Sequence, residues 1–193
     1  YVLYREDRRK LREATAERPE TQDIQSALNI RLENGTLVPL DTDQLYRRVE
    51  EACANLEAVN AHFIVQDTIR NLFEGVPIEQ VHQALIMSTR TLIEREPNYS
   101  YVAARLLLNN LQREACRFLK VPSPKTNSEM AKQYAKTLKL TIQKGVQLER
   151  LDPKLLAFDL EKLGKALKPE RDLQFTYLGL QTLYDRYFLH EDD

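Results

Sequence analysis

Between residues 28 and 120 the apolar positions follow two different periods. Leu28, Ile30 and Leu32 alternate, Asn34-Gly35 follows, and Leu37-Val38-Pro39-Leu40 comes next. Asn-Gly between apolar alternations predicts a β-hairpin, with a type I′ turn whose two central residues need positive φ. Pro39 lacks an N–H and confines the second strand to a sheet edge. From Asp41 the period becomes helical. Asp41 reads as an N-cap with Gln44 as its reciprocal partner three residues on, and Leu45, Val49, Ala52, Leu56 and Val59 form one stripe. A second helix is predicted over Ala61 to Leu72, closing near Gly75. The third begins at about Pro77, a good first-turn residue, and carries Ile78, Val81, Leu85, Ile86, Leu92 and Ile93. A fourth follows Glu96-Pro97 with Tyr101, Ala104, Leu108, Leu111, Ala115 and Phe118. Each has one apolar stripe, so the four bury those stripes against one another.

Val121-Pro122-Ser123-Pro124-Lys125-Thr126-Asn127 is linker composition, with Ser128 as an N-cap. Helices are then expected over Glu129–Lys144, Pro153–Leu167 with a break, and Leu173–Leu189. The last carries Leu173, Thr176, Leu180, Leu183, Tyr187 and Phe188 on one side, a face that calls for a cover. Ahead of the hairpin, residues 1–17 read as the end of a helix rich in Arg and Glu, and 18–27 as a linker. Tyr101-Val102-Ala103-Ala104-Arg105 echoes Tyr1-Val2-Leu3-Tyr4-Arg5, which suggests that Tyr1 lies in the final helix of a preceding copy of the same domain. The expected division is 1–17, 18–27, a domain over 28–120, a linker over 121–128, and the start of a second domain over 129–193. The fold class is mainly α, with a small hairpin capping a four-helix bundle.

Composition narrows the chemistry. The chain has 193 residues, 28 Lys+Arg against 29 Asp+Glu, two cysteines and five glycines. The glycines (35, 75, 145, 164 and 179) are too scattered for a Rossmann fingerprint or a P-loop, which need clustered glycines for backbone to approach phosphate. Cys53 and Cys116 form no CxxC pair and His62, His82 and His190 form no HExxH, so no metal is expected. Two distant cysteines with no signal-peptide segment fit a reducing cytoplasm. No apolar run reaches membrane-span length. Residues 28–120 carry 10 basic and 12 acidic side chains and 129–193 carry 11 of each, so no segment is basic enough to track a nucleic-acid backbone.

The hairpin with Asn34-Gly35, the Asp41-initiated helix, Phe73-Glu74-Gly75, His82 and the run Pro97-Asn98-Tyr99-Ser100-Tyr101-Val102-Ala103-Ala104-Arg105-Leu106 resemble an ATP-cone, the nucleotide-sensing domain of ribonucleotide reductase large subunits. Arg171-Asp172-Leu173-Gln174-Phe175-Thr176-Tyr177 and Leu183-Tyr184-Asp185-Arg186-Tyr187 resemble the helical start of the class I reductase catalytic domain. The resemblance implies a tandem-cone large subunit that reduces ribonucleoside diphosphates, and residues 129–193 as helices that begin its barrel. Its partners would be other large subunits in an oligomer and a radical-generating small subunit. It implies no catalytic residue within this stretch.

In that family the hairpin reads Val-x-Lys-Arg-Asp-Gly, a Lys lies near the start of the first helix, and a Thr, a His and a late Lys complete a triphosphate pocket. Here Ile30 and Gly35 match, but Leu32-Glu33 replace the Lys-Arg pair, Gln44 the first-helix Lys and Ile78 the Thr; His82 remains and Arg113 stands at the late Lys. The vestigial site is therefore Ile30, Gln44, His82 and Arg113. Losing three charged contacts at roughly 1.5–3 kcal/mol each costs about 5 kcal/mol after non-additivity, a factor of several thousand. ATP or dATP with Mg is thus disfavoured at this cone, which is expected to serve as a structural or oligomerisation module. The rivals are a functional ATP/dATP-binding cone, a cone-containing transcriptional repressor, which would need a zinc ribbon ahead of the cone, and an unrelated helical interaction module.

Plain structural readings stand beside these. His82 next to Val81 reads as packing, Cys53 as core filling, and Asp41-Thr42-Asp43 as capping and dipole complement rather than metal ligation. Tyr99, Tyr101, Tyr177, Tyr184 and Tyr187 read as core or interface, not as a stacking platform for bases.

Overall fold

The computed structural model describes residues 28–123 and 127–188; the expected helix over 1–17, its linker and the echo at Tyr1 lie outside them. Strands β1 (Asn29–Arg31), β2 (Leu37–Pro39) and β3 (Val76–Pro77) accompany helices α1 (Thr42–Cys53), α2 (Ala61–Arg70), α3 (Ile78–Arg90) and α4 (Tyr99–Leu119). Beyond them come α5 (Asn127–Gln147), a 3-10 turn over Pro153–Ala157, α6 (Leu160–Ala166), a second 3-10 turn over Pro169–Gln174, and α7 (Tyr177–Arg186).

The hairpin forms, with Ile30 opposite Val38, but its turn is not type I′. Gly35 N donates to Leu32 O at 2.8 Å and Leu32 N to Thr36 O at 2.9 Å. Gly35 takes φ +82° while Asn34 is not among the positive-φ residues. The turn residues are thus Glu33 and Asn34, and Gly35 alone supplies the left-handed position after them, the three-residue alternative for a right-twisted hairpin. Asn34 contributes through its side chain, whose Oδ1 accepts from Thr36 N at 3.0 Å. Strand order is β2-β1-β3, so Pro39 sits on an edge as expected. The parallel strand β3, only two residues long, carries no periodic signal and was not anticipated.

Asp41 caps α1, its Oδ1 accepting from Gln44 N at 2.9 Å, and Asn60 caps α2 in the same way. α1 stops at Cys53, short of Leu56 and Val59, as the chain turns through Asn55 at φ +61°. Leu45, Val49, Ala52, Ile64, Val65, Val81, Leu85, Ile86, Val102 and Leu106 fill one core beneath the sheet, whose contribution is Ile30 and Val76. The run from Asn98 to Arg105 holds the α1–α2 loop: Asn98 Nδ2 donates to Glu57 O at 2.9 Å, Asn60 N donates to the Tyr99 hydroxyl at 3.0 Å, and Arg105 Nη1 donates to Ala52 O at 2.8 Å and Ala54 O at 2.7 Å.

The final helix differs from its sequence pattern. Pro169 starts a 3-10 turn, Phe175 and Thr176 are extended, and Thr176 caps a helix that begins only at Tyr177. The expected single apolar face is split as a result. Tyr177 and Leu180 are buried in the same core as α1–α4, while Leu173, Tyr187 and Phe188 are exposed. Gly164 lets α6 lie directly on α5: a Cβ there would stand 2.8 Å from Ala135 Cα.

Candidate functional site: the cleft under the hairpin

A cleft of about 1300 Å³ opens between the hairpin tip, one face of α1, the first turns of α3, the second half of α4 and the start of α5. On α1, Gln44, Arg47, Arg48 and Glu51 recur at 3.6-residue spacing opposite the buried stripe, and all four line it. On α3 they are faced by Ile78, Glu79 and His82, and on α4 by Arg113 and Arg117.

Of the four residues nominated from sequence, Gln44, His82 and Arg113 meet here. Ile30 does not: it is 4% exposed and belongs to the core under β1. His82 and Arg113 touch, with Arg113 Nη1 at 3.0 Å from Nδ1 and 2.9 Å from Nε2 of the ring. A neutral imidazole offers one acceptor nitrogen, so one of the two contacts is a hydrogen bond at any moment. Burial pushes the His82 pKa down to about 4, which keeps the ring neutral at pH 7 and able to accept. Burial, then the neighbouring Arg117, also lowers the pKa of Arg113, while Glu33 opposes that shift.

Arg47, Arg48 and Arg117 were not singled out from sequence. They read as ordinary exposed helix-face charges; the 44, 47, 48, 51 spacing and the 113, 117 spacing were the available signals. Arg117 is already paired: its Nη2 bonds Glu33 on the hairpin and lies 4.0 Å from Glu79. Among the described residues, Arg48 Nη1 is buried with no hydrogen-bond partner. Four arginines line the cleft against five glutamates, residues 33, 51, 79, 114 and 129.

These residues fit a nucleoside triphosphate poorly. Glu33 occupies the hairpin position nearest Arg117 and neutralises it. Leu32, Gln44 and Ile78 offer no charge, and the lining as a whole is weakly acidic, which opposes a tetra-anion. Burial raises the Cys53 thiol to about 11 and also raises that of buried Cys116, which disfavours the reactive thiolate at both. Among the described residues no group of three or more His, Cys, Asp or Glu could hold a metal ion, and no helix is long and apolar enough to cross a membrane.

Residues 28–114 match the ATP cone domain family. Over 196 aligned residues, the whole of this chain is 34% identical to the ribonucleoside-diphosphate reductase subunit alpha of Chlamydia muridarum (strain MoPn / Nigg). Over 159 residues, 82% of this chain, it is 35% identical to the subunit of the same name from Helicobacter pylori (strain ATCC 700392 / 26695). In both cases the match spans 18% of the relative's length.

Proposed function

We propose, for a chain whose residues 28–114 belong to the ATP-cone family, that the cone has lost nucleoside triphosphate binding and works as a structural and assembly module of a ribonucleoside-diphosphate reductase α subunit. The parent enzyme converts ribonucleoside diphosphates to deoxyribonucleoside diphosphates in the cytoplasm, with other α subunits and a radical-generating small subunit as partners. Its catalytic residues lie outside this segment. The observation that carries the loss of ligand is the Glu33–Arg117 pair. A carboxylate on the hairpin consumes a cleft cation at the place where the family presents two cations to phosphate.

One observation favours the rival reading of a working ATP/dATP site with Mg. The buried, unpartnered Nη1 of Arg48 is a donor that an anion could satisfy. Calorimetric titration of the 193-residue chain with ATP and with dATP, each with magnesium, decides between them. No saturable heat up to millimolar nucleotide is expected, and micromolar dissociation constants would overturn the proposal. Leu32→Lys, Glu33→Arg and Gln44→Lys together should then restore binding, since they add three cations and release Arg117. Failure of that rescue points to Ile78, which fills space that the family gives to a hydroxyl.

A further inference from the structure

Three consecutive residues of α4 face three different neighbours, as the ~100° step of a helix requires. Arg113 points into the cleft against His82 of α3. Gln112 Nε2 donates at 3.2 Å to the hydroxyl of Tyr134 on α5, which in turn donates to Asp172 in the second 3-10 turn. Glu114 Oε2 accepts at 3.2 Å from the Tyr184 hydroxyl on α7. Above this level, Tyr177 N donates to Ser100 Oγ at 3.2 Å, and Arg90 at the end of α3 lies over the Tyr177 ring, 4.7 Å from its centroid. Tyr177 and Leu180, 8% and 2% exposed, are members of the same apolar cluster as Val49, Ile64 and Val81.

From these contacts we infer that the cone and the helices after it form one cooperative unit with α4 as the shared wall, so that displacement of α7 is felt at the cleft. A self-contained cone would close its core with α1–α4 and leave α7 to join later by a polar surface. Instead, α7 inserts two large side chains into that core. It also bonds to the residue adjacent to Arg113. Tyr134 does the same from α5 on the other flank. Removing α7 exposes core residues of α4 and strips Arg90 of α3 of the Tyr177 ring, and the cost falls on the whole bundle. Because coupling is reciprocal, whatever changes the charge or contacts of Arg113 also biases α7. The position of the segment after the cone thereby becomes a regulatory input to the cleft, and this holds whether or not the cleft takes a nucleotide.

Native-state amide exchange on the intact 193-residue chain tests this, comparing the unsubstituted protein with Leu180→Ala. The expected result is that α1, α3 and α4 exchange at least ten-fold faster in the variant, by the same factor as α7. Acceleration confined to 177–186, or an α7 that is unprotected in the unsubstituted chain beside a protected α1–α4, overturns the inference. Should Leu180→Ala fail to fold, Tyr184→Phe is read by NMR at pH 7, with Tyr187→Phe, a 71% exposed neighbour, as control. Tyr184→Phe is expected to shift the His82 ring resonances, which belong to another helix, while the control leaves them in place. His82 resonances unmoved by Tyr184→Phe overturn the inference.

Discussion

Acid should destabilise this fold through His82 in a way that one substitution isolates. Its pKa falls from 6.5 to about 4 because burial penalises the imidazolium, and Arg113 stands against the ring. A base whose folded value is depressed contributes its full stability above the unfolded pKa and loses it as pH falls. The window is therefore between about 6.5 and about 4, where the unfolded chain takes up a proton that the folded chain refuses. Integrating the linkage relation from neutral pH down to pH 5 gives a loss of about 2 kcal/mol from this group alone, or about 4–8 °C in melting temperature for a chain of this size. His82→Gln keeps a neutral polar side chain and removes the titration. Urea unfolding of both proteins from pH 7.5 to 5 is the assay, since other titrating groups, such as Glu74 with its Asn29 bonds, change both curves alike and cancel in the difference. The variant should lose about 2 kcal/mol less than the parent across that range. A difference curve flat to within ~0.5 kcal/mol would refute the reasoning and mean that the His82 ring reaches water, and one of opposite sign would refute it by showing that the fold favours the imidazolium.

Gly164→Ala should cost about 1–3 kcal/mol, because the new Cβ would meet the Ala135 backbone and force α6 off α5; an unchanged denaturation midpoint would show that the two helices are not in register as described. Arg105→Met keeps the apolar stem but removes both bonds to the end of α1, so a loss of about 1.5–3 kcal/mol is expected. It should come with faster amide exchange over residues 53–58, and unaltered exchange there would count against a clamping role.

The stripes of α1 and α3 were legible because a 3.6-residue period reports which face must be buried, and Leu45, Val49, Ala52, Val81, Leu85 and Ile86 obey it; on α4 only Ala104 of the expected stripe is buried, because Val102, Ala103, Leu106 and Leu107 face the core instead. The Asp41 cap was legible for a related reason, since it meets its partner three residues away, within one helical turn, whereas the cap expected at Ser128 falls inside α5, which starts at Asn127. What escaped depends on distant chain. The two-residue strand β3 exists only because Gly75, at φ +76°, turns Val76 alongside Ile30, and two residues carry no period. The apolar side of the last segment was visible, but its division was not: Leu180 is claimed by α4, while Leu173 lies in a 3-10 turn set by Pro169. In the cleft, sequence supplied Gln44, His82 and Arg113 by resemblance, whereas Arg48 and Arg117 reach it only through the way α1 and α4 pack.

Most residues that fix this fold lie apart from those that line its cleft. The run from Asn98 to Arg105 is the most specific sequence signal in the chain, and each contact described for it is structural. Asn98 and Tyr99 tie the α1–α2 loop, Arg105 closes the end of α1, and Ser100 receives α7. None of these four lines the cleft. The residues that line the cleft lie instead on the hairpin tip and on helix faces; of these, Leu32 and Ile78 pack against the edge of the core, while Glu33 and Gln44 are exposed. Exposed positions such as Glu33 and Gln44 can change charge without disturbing the buried cluster. The pattern that identifies a cone is therefore no measure of the charge its cleft presents to a ligand.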